Sequence, residues 1–265
     1  IRFHRAMMLR ASALLFIGIL LGCSPARERA DLVFVNGAEP ETLDPAIITG
    51  QPEGRVIHAL FEGLCAFNAD GHAKPGVAEG WDISEDGKTY TFHLRDDAKW
   101  SDGRTLTAHD FVRSWQRTLT PATGSQYNYL LYPIRNAEAF ATGMIADFAQ
   151  VGVKAIDDRT LRVELENATP YFLDLCAFPT LHPVPVDLIE RVGDDWVKPG
   201  NLIGNGAFTL ETWDINDHIR LRKNPHYWNR EKVALETIDV LPISDANVAF
   251  NFYASGLADL VMDKG

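Results

Sequence analysis

The sequence predicts a mixed α/β protein, because patterns typical of strands and of helices follow one another without a regular strand–helix–strand repeat. Of its 265 residues, 46% are apolar and 23% are charged, which is typical of a folded globular protein. A chain of this length is able to bury one large core or two smaller ones. The clearest local signals lie in residues 90–119, where a strand, a turn and a helix are close together.

The N-terminal segment, residues 1–22, is typical of a secretion signal. Its apolar run at 11–21 follows three arginines and suits a signal-peptide core, but it is shorter than the roughly 20 residues of a membrane-spanning helix. Gly22 followed by Cys23 resembles a bacterial lipobox, which predicts a lipid-modified Cys23. An ordinary cleaved signal and a retained anchor are the alternatives. Residues 23–30 read as a short tether.

The remaining elements are predicted from apolar residues that recur every two positions in strands and every three or four in helices. Strands are predicted at residues 32–35, 153–156, 160–165, 208–213, 219–222 and 235–241. Helices are predicted around residues 56–61, from Ser125, at 136–141, and at 247–254 before Gly256. Hairpin turns are predicted at 70–71, 86–87 and 157–158. Four prolines between residues 179 and 199 predict a long connection between domains.

Within residues 90–119, Tyr90, Phe92 and Leu94 alternate with polar residues, which predicts a strand with one buried face. Asp102-Gly103 then predicts a tight turn, because glycine tolerates positive φ.

A helix follows this turn. Thr107 is predicted to cap it, with Asp110 as the reciprocal capping partner. Phe111, Trp115 and Leu119 share one helical face, so we expect the helix to pack by that side.

Charge and histidine spacing exclude several functions. The formal net charge is −11, whereas nucleic-acid binding needs a positive surface. The seven histidines after residue 22 contain no His-x-x-x-His or His-Glu-x-x-His spacing. We therefore expect no nucleic-acid partner, no metal and no cofactor.

The cysteines and carboxylates do not suggest catalysis. Cys65 and Cys176 lie among apolar residues, which predicts two buried free thiols; a disulfide between them is the alternative, because export permits one. Neither cysteine lies in a cysteine-protease motif. Acidic pairs such as 96–97 and 194–195 are typical of solvated surface. We predict no catalytic residue, and a secreted hydrolase with a carboxylate pair is the alternative from another class.

Six stretches together carry a family resemblance: GAEPETLDP at 37–45, LFEGL at 60–64, PGVAE at 75–79, residues 92–117, NGAF at 205–208 and NPHYW at 224–228. In this order and spacing they closely resemble the periplasmic oligopeptide-binding proteins of ABC importers, within extracellular solute-binding protein family 5. The resemblance spans nearly all of residues 32–259.

This resemblance implies a periplasmic binding protein-like fold (type II, peptide-binding cluster). Residues 31–60 and 187–265 would form a first lobe, and residues 61–186 an inserted α/β domain. In the family a further large lobe closes over the ligand, and it would begin near Gly265. We therefore expect a chain truncated before that lobe, and weak ligand binding by this chain alone.

The resemblance also implies which residues contact the ligand. Thr49-Gly50-Gln51 would supply backbone contacts, and Tyr127 would face the cleft from the inserted domain. Residues 262–264 occupy a segment from which relatives direct side chains towards the ligand. The implied ligand-binding residues are Thr49, Gly50, Gln51, Tyr127, Met262, Asp263 and Lys264.

We therefore predict the substrate-binding component of an ABC importer, located in the periplasm or cell envelope. It would bind oligopeptides and deliver them to a membrane permease with its ATPase subunits, without catalysis. A lipid on Cys23 would anchor it to the membrane. Dipeptides, murein peptides, nickel complexes and haem are alternative cargoes of the same superfamily, and an inactive remnant of a split gene is a further possibility.

Overall fold

The computed structural model describes residues 28–262, which form two larger sheets, a separate hairpin and the helices around them. The strands are β1 (Leu32–Val35), β2 (Cys65–Phe67), β3 (Ala73–Pro75), β4 (Ala78–Ile83), β5 (Thr89–Leu94), β6 (Val153–Ala155), β7 (Thr160–Glu164), β8 (Phe208–Asp214), β9 (His218–Lys223), β10 (Thr237–Leu241) and β11 (Leu260–Val261). The α-helices are α1 (Gln51–Leu60), α2 (Ala108–Leu119), α3 (Ala137–Ala141), α4 (Phe172–Leu175), α5 (Val186–Val192) and α6 (Ala246–Ala254).

The five-stranded sheet has the order β11-β1-β10-β9-β8. Its strand β1 runs parallel to both neighbours, with Leu32 opposite Ile238 and Phe34 opposite Leu260. Strand β9 runs antiparallel to both of its neighbours, β8 and β10. The sheet therefore joins the start of the described chain to its end, and most of the intervening chain lies outside it.

The four-stranded sheet has the order β4-β5-β7-β6 and is antiparallel throughout. The hairpin of β2 and β3 forms a separate two-stranded sheet. Gly71 and Gly87 have φ of 80° and 68° in the two Asp-Gly hairpin turns, as the sequence predicted.

Two main clusters of buried apolar residues lie under the two larger sheets. One cluster is drawn from residues 64–181 and includes strands β5 and β7 and the buried face of α2. The other is drawn from residues 43–61 and 184–240, where α1 packs with β8, β9 and β10. The chain passes between the clusters at residues 61–64 and again near residues 181–184.

The segment from β5 to α2 has its predicted structure. Tyr90, Phe92 and Leu94 are buried on one face of β5. At the start of α2 the Asp110 carboxylate accepts hydrogen bonds from the Thr107 backbone N–H at 2.8 Å and from its hydroxyl at 3.0 Å. Phe111, Trp115 and Leu119 are fully buried, which confirms the predicted packing face.

One prediction was wrong in part, and one predicted connection contains a helix that the sequence did not indicate. The helix predicted from Ser125 is a single 3₁₀ turn at Asn128–Leu131, preceded by Gly124 in the left-handed conformation. The proline-rich connection contains helix α5, because Pro185 lies just before its first residue, where a proline does not interrupt helical hydrogen bonding.

Cys65 and Cys176 are fully buried, as the sequence predicted, and no bond joins their two sulfur atoms in this structure. Within residues 28–262, no helix is both long and apolar enough to cross a membrane.

Candidate ligand-binding site

The carboxyl ends of the parallel strands β1, β10 and β11 meet at one edge of the five-stranded sheet. Asn36, directly after β1, donates its backbone N–H to the carbonyl oxygen of Leu241 at 2.8 Å. Met262, directly after β11, donates its N–H to the carbonyl oxygen of Val35 at 3.0 Å. In open α/β sheets, ligands bind in the crevice outside the carboxyl ends of the strands. This edge is therefore the candidate site.

A cavity of about 480 Å³ lies at this edge, between the sheet and α6. Its lining is mostly apolar and includes Gly37, Asp245, Phe250, Tyr253 and Met262. The Phe250 side chain is 66% exposed and that of Tyr253 is 54% exposed, so α6 presents two aromatic rings to solvent here. A mostly apolar cavity of this size is typical of small-molecule and peptide side-chain sites.

The segment Thr49-Gly50-Gln51 lies at the N-terminus of α1, beside the same edge. Asn36 connects the two, because its side-chain Nδ2 donates to the carbonyl oxygen of Pro52 at 3.0 Å. Arg55 donates to the carbonyl oxygen of Asn36 at 3.0 Å and to Gln51 Oε1 at 3.1 Å. The first N–H groups of a helix have no partner within the helix, so they remain available to a ligand or to water.

Tyr127, in the stretch after α2, contacts the segment Thr49-Gly50-Gln51. Its hydroxyl donates to the carbonyl oxygen of Thr49 at 3.2 Å, and its ring contacts Tyr129 and Phe178 with centroid separations of 6.1 and 6.0 Å. Thr49 and Gln51 are exposed and Tyr127 is half-buried. The structure thus brings Tyr127 and Thr49, which are 78 positions apart in the chain, into contact.

A buried ion pair joins the loop before α1 to helix α2. Arg117 on α2 donates to both carboxylate oxygens of Asp44, at 3.1 and 2.5 Å. Asp44 also accepts the backbone N–H of Ala46 at 3.0 Å. The loop that leads to Thr49 is therefore attached to α2 by a bidentate, charge-assisted contact.

A group of polar contacts around Glu62 joins the two buried apolar clusters. It lies where the chain first passes from one cluster to the other, at residues 61–64. Glu62 accepts hydrogen bonds from the Tyr227 hydroxyl at 2.7 Å and from Trp228 Nε1 at 2.6 Å. The Arg95 guanidinium lies 3.7 Å from the centre of the Trp228 ring. Burial raises the pKa of Glu62 despite these donors. The side chain is satisfied by structural partners, which favours a structural rather than a catalytic carboxylate.

His182 is the most strongly perturbed histidine of residues 28–262. Burial, with His58 next to it, lowers the pKa of His182 from 6.5 to about 3. A fully buried, neutral imidazole with so low a pKa is a poor general base near neutral pH.

Within residues 28–262, the one group of possible metal donors is Asp214, Asp217 and His218, at the β8–β9 turn. His218 Nδ1 lies 2.7 Å from Asp217, and its Nε2 lies 3.2 Å from the Thr212 hydroxyl. Both ring nitrogens thus have protein partners, and both aspartates are exposed. The expectation that the chain holds no metal stays a prediction.

Three of the predicted site residues, Cys23, Asp263 and Lys264, lie outside the described residues. The sequence interpretation missed Phe250 and Tyr253. The signal was present, because two aromatic residues three positions apart share one face of α6. The interpretation also missed Asn36 and Arg55, which carry no motif of their own.

The fold is mixed α/β, with a candidate ligand-binding cavity at the carboxyl edge of the five-stranded sheet. The profile described as "Bacterial extracellular solute-binding proteins, family 5 Middle" matches residues 72–263. The chain belongs to this family.

Individual proteins are similar to this chain in sequence and in structure. The chain is 46% identical to the periplasmic oligopeptide-binding protein OppA of Escherichia coli (strain K12) over 235 residues, which are 88% of this chain and 43% of the relative. Its structure is similar to that of Burkholderia pseudomallei OppA, with a TM-score of 0.84 and 38% identity over 89% of this chain and 46% of the other. A complex of Haemophilus influenzae OppA with RPPGFSPFR gives a TM-score of 0.83 and 39% identity, and the match covers 87% of this chain and 46% of the other.

The chain thus spans less than half the length of the relatives it matches.

Proposed function

We propose that the chain is the substrate-binding component of an ABC importer that captures oligopeptides in the periplasm and delivers them to a membrane permease with its ATPase subunits. The observation that carries the proposal is its family membership together with 46% identity to an oligopeptide-binding relative. The mechanism is binding and handover rather than catalysis. The hydrolase alternative has no comparable support.

Peptide capture at the candidate site would rest on main-chain contacts. An extended peptide satisfies its N–H and C=O groups when it lies along an exposed strand or loop, and open pockets then accept varied side chains through bridging water. Exposed Thr49 and Gln51 are suitably placed for such contacts, with Gly50 between them and Tyr127 opposite. The mostly apolar cavity beside Met262 suits a ligand side chain. We include Asp263 and Lys264 as ligand contacts from the family resemblance.

We propose the domain division that the family resemblance implies. Residues 31–60 and 187–265 would belong to one lobe and residues 61–186 to the inserted domain, and the further lobe of the family would close over the ligand. Two separate buried clusters and two short crossings are consistent with this division. A ligand drives closure only if it binds the closed state more tightly than the open one.

The N-terminal segment fits export. We propose that residues 1–22 are a lipoprotein signal, that residues 23–30 are a tether, and that Cys23 carries a lipid that holds the protein at the cell envelope. Expression in a bacterium with radiolabelled palmitate tests this: we expect label in the wild-type chain and none in Cys23→Ser. Equal labelling of the wild-type chain and of Cys23→Ser would contradict the proposed lipid on Cys23. It would not bear on the proposed peptide binding.

Peptide binding is best tested in a chimera, because the chain spans less than half of its relatives. Residues 28–262 replace the matching segment of Haemophilus influenzae OppA, and RPPGFSPFR is titrated by calorimetry. We expect saturable binding with a dissociation constant of roughly micromolar or tighter. Peptide recovered intact, as measured by mass spectrometry, is the result expected of a receptor.

Two variants calibrate this test. Tyr127→Ala is expected to weaken binding at least about tenfold, whereas Tyr171→Ala, at an exposed tyrosine of the same domain, leaves it unchanged. A chimera that unfolds cooperatively but binds no peptide would contradict the proposal. Cleaved peptide would favour the hydrolase instead.

A further inference from the structure

The two buried cysteines lie side by side although they are 111 positions apart in the chain. Cys65 begins β2, and Cys176 follows the last residue of α4. The Cys65 backbone N–H donates to the carbonyl oxygen of Cys176 at 3.4 Å. The Cys65 side chain is also near enough to Cys176 to add, after burial, to the raised pKa of the Cys176 thiol. The two residues are therefore in direct backbone contact, with their side chains close together.

The backbone around the pair is closely packed. A Cβ added to Gly63 would clash with the carbonyl oxygen of Cys176 and would lie 2.8 Å from His182 Cδ2. A Cβ added to Gly76 would lie 2.8 Å from the carbonyl oxygen of Gly63. Glycines at these two positions allow β2 to approach the end of α4. Close approach of the two backbones is one requirement for a disulfide.

We propose that Cys65 and Cys176 form a disulfide when the chain folds in an oxidising compartment. One thiolate attacks the disulfide of a thiol oxidant, such as oxidised glutathione, and displaces one of its thiols. The second cysteine then attacks this mixed disulfide, forms the Cys65–Cys176 bond and releases the other thiol. The protein loses two hydrogen atoms as two protons and two electrons, and the oxidant gains them as two thiols.

Burial determines when this reaction occurs. Both side chains are fully buried, and burial raises the pKa of the Cys176 thiol well above its usual range. The reactive thiolate is scarce in the folded protein, and an oxidant has no access to it. The bond therefore forms during folding, before α4 packs onto β2, and the folded reduced protein reacts slowly.

The bond lies beside both crossings between the buried clusters. Cys65 follows the outgoing crossing, and Cys176 precedes the returning one. A disulfide here would restrict the unfolded chain by closing a loop of more than 100 residues. We expect it to raise the midpoint of thermal unfolding by roughly 5 °C or more. Its formation in the cell rests on the proposed export, whereas its formation in vitro does not.

The test uses the full chain with Cys23→Ser, so that only the two buried thiols remain. The protein is refolded from denaturant either with a glutathione redox couple or with a reductant, and remaining thiols are alkylated under denaturing conditions. After oxidative refolding we expect no alkylation and a tryptic product in which residues 56–88 are linked to residues 163–191. Oxidised glutathione added after reductive refolding is expected to react at least about tenfold more slowly.

Two single variants serve as controls. Cys65→Ala and Cys176→Ala each retain one thiol, and their unfolding midpoints are expected to be the same after either refolding condition. Two alkylated thiols in natively refolded, glutathione-treated protein would overturn the proposal, and so would a disulfide-linked dimer. Equal rates of oxidation before and after folding would refute control by burial.

Discussion

Replacing Arg117 with methionine should destabilise the protein by about 3 kcal/mol, because the Asp44 carboxylate then stays buried without its cation. The Arg117 side chain is 18% exposed and that of Asp44 is 4% exposed, so water replaces little of the lost contact. Methionine keeps much of the aliphatic stem and its packing, which confines the change mainly to the charge.

The magnitude follows from the contacts that remain. Removing one partner of a buried ion pair costs about 3–5 kcal/mol, and the partial exposure of Arg117 favours the lower end of that range. After this change the Asp44 carboxylate keeps its hydrogen bond from the Ala46 backbone N–H. In Asp44→Asn with Arg117→Met no charge is left buried, so the double variant should be more stable than the sum of the single changes predicts, by about 1.5–3 kcal/mol.

Urea unfolding followed by circular dichroism measures these differences as shifts of the midpoint at constant slope. Arg113→Met is the matched control, because Arg113 lies one turn earlier on α2. Its contact with Glu190 at 3.4 Å joins side chains that are 43% and 69% exposed. We expect the control to lose less than about 0.5 kcal/mol.

Equal stabilities of Arg117→Met and Arg113→Met would refute the role given to the buried pair. An additive double variant would show instead that Asp44 and Arg117 stabilise the protein independently.

Three further perturbations test other parts of the structure. The pKa of His182 is lowered from 6.5 to about 3, so between these values the unfolded chain binds a proton that the folded chain does not, and stability falls as the pH is lowered. His182→Gln should flatten this dependence by up to about 3 kcal/mol between pH 7 and 4, as measured by urea unfolding at each pH. Asp110→Ala removes the acceptor of the Thr107 N–H and should cost about 1 kcal/mol in the same assay. Gly206→Ala places a Cβ 2.6 Å from backbone atoms of residues 59–61, so it should lower the free energy of unfolding by at least about 2 kcal/mol. Its control is Gly54→Ala, at an open helical position, which should raise the free energy of unfolding by about 0.5–1 kcal/mol.

Each of these has a result that contradicts it. An unchanged pH dependence in His182→Gln would show that His182 titrates alike in the folded and unfolded states. Wild-type stability of Asp110→Ala would show that Thr107 needs no capping partner. If Gly206→Ala proved as stable as Gly54→Ala, the close contact at residues 59–61 would not constrain that position.

Most of the local elements were predictable from the sequence. The capping pair Thr107–Asp110, the alternation in β5 and the two Asp-Gly turns depend on residues at most a few positions apart, so their patterns stand out in the chain itself. The prediction of a helix from Ser125 was wrong in part because contacts with residues distant in the sequence determine the backbone conformation there. Tyr127 is held by the carbonyl oxygen of Thr49 and by the ring of Phe178, and the chain forms only a 3₁₀ turn there.

The candidate site was less predictable. Thr49-Gly50-Gln51 and Tyr127 were identified by family resemblance, and no periodicity or spacing within this chain points to them. Their mutual contact joins residues 78 positions apart, and the edge beside them exists only once β1 pairs with β10 and β11. The aromatic face of α6 is visible as a pattern, but only the structure places it against that edge.

By itself, then, the amino-acid sequence determined the mixed α/β class, most element positions, the turns and the buried character of Cys65 and Cys176. Tertiary structure alone decided that β1 lies between β10 and β11, that Arg117 reaches Asp44, and that Cys65 lies beside Cys176. The physical reason is the range of the forces involved. Backbone dihedral preferences and side-chain period act over a few residues, whereas burial of a charge or a thiol depends on which distant segments pack together.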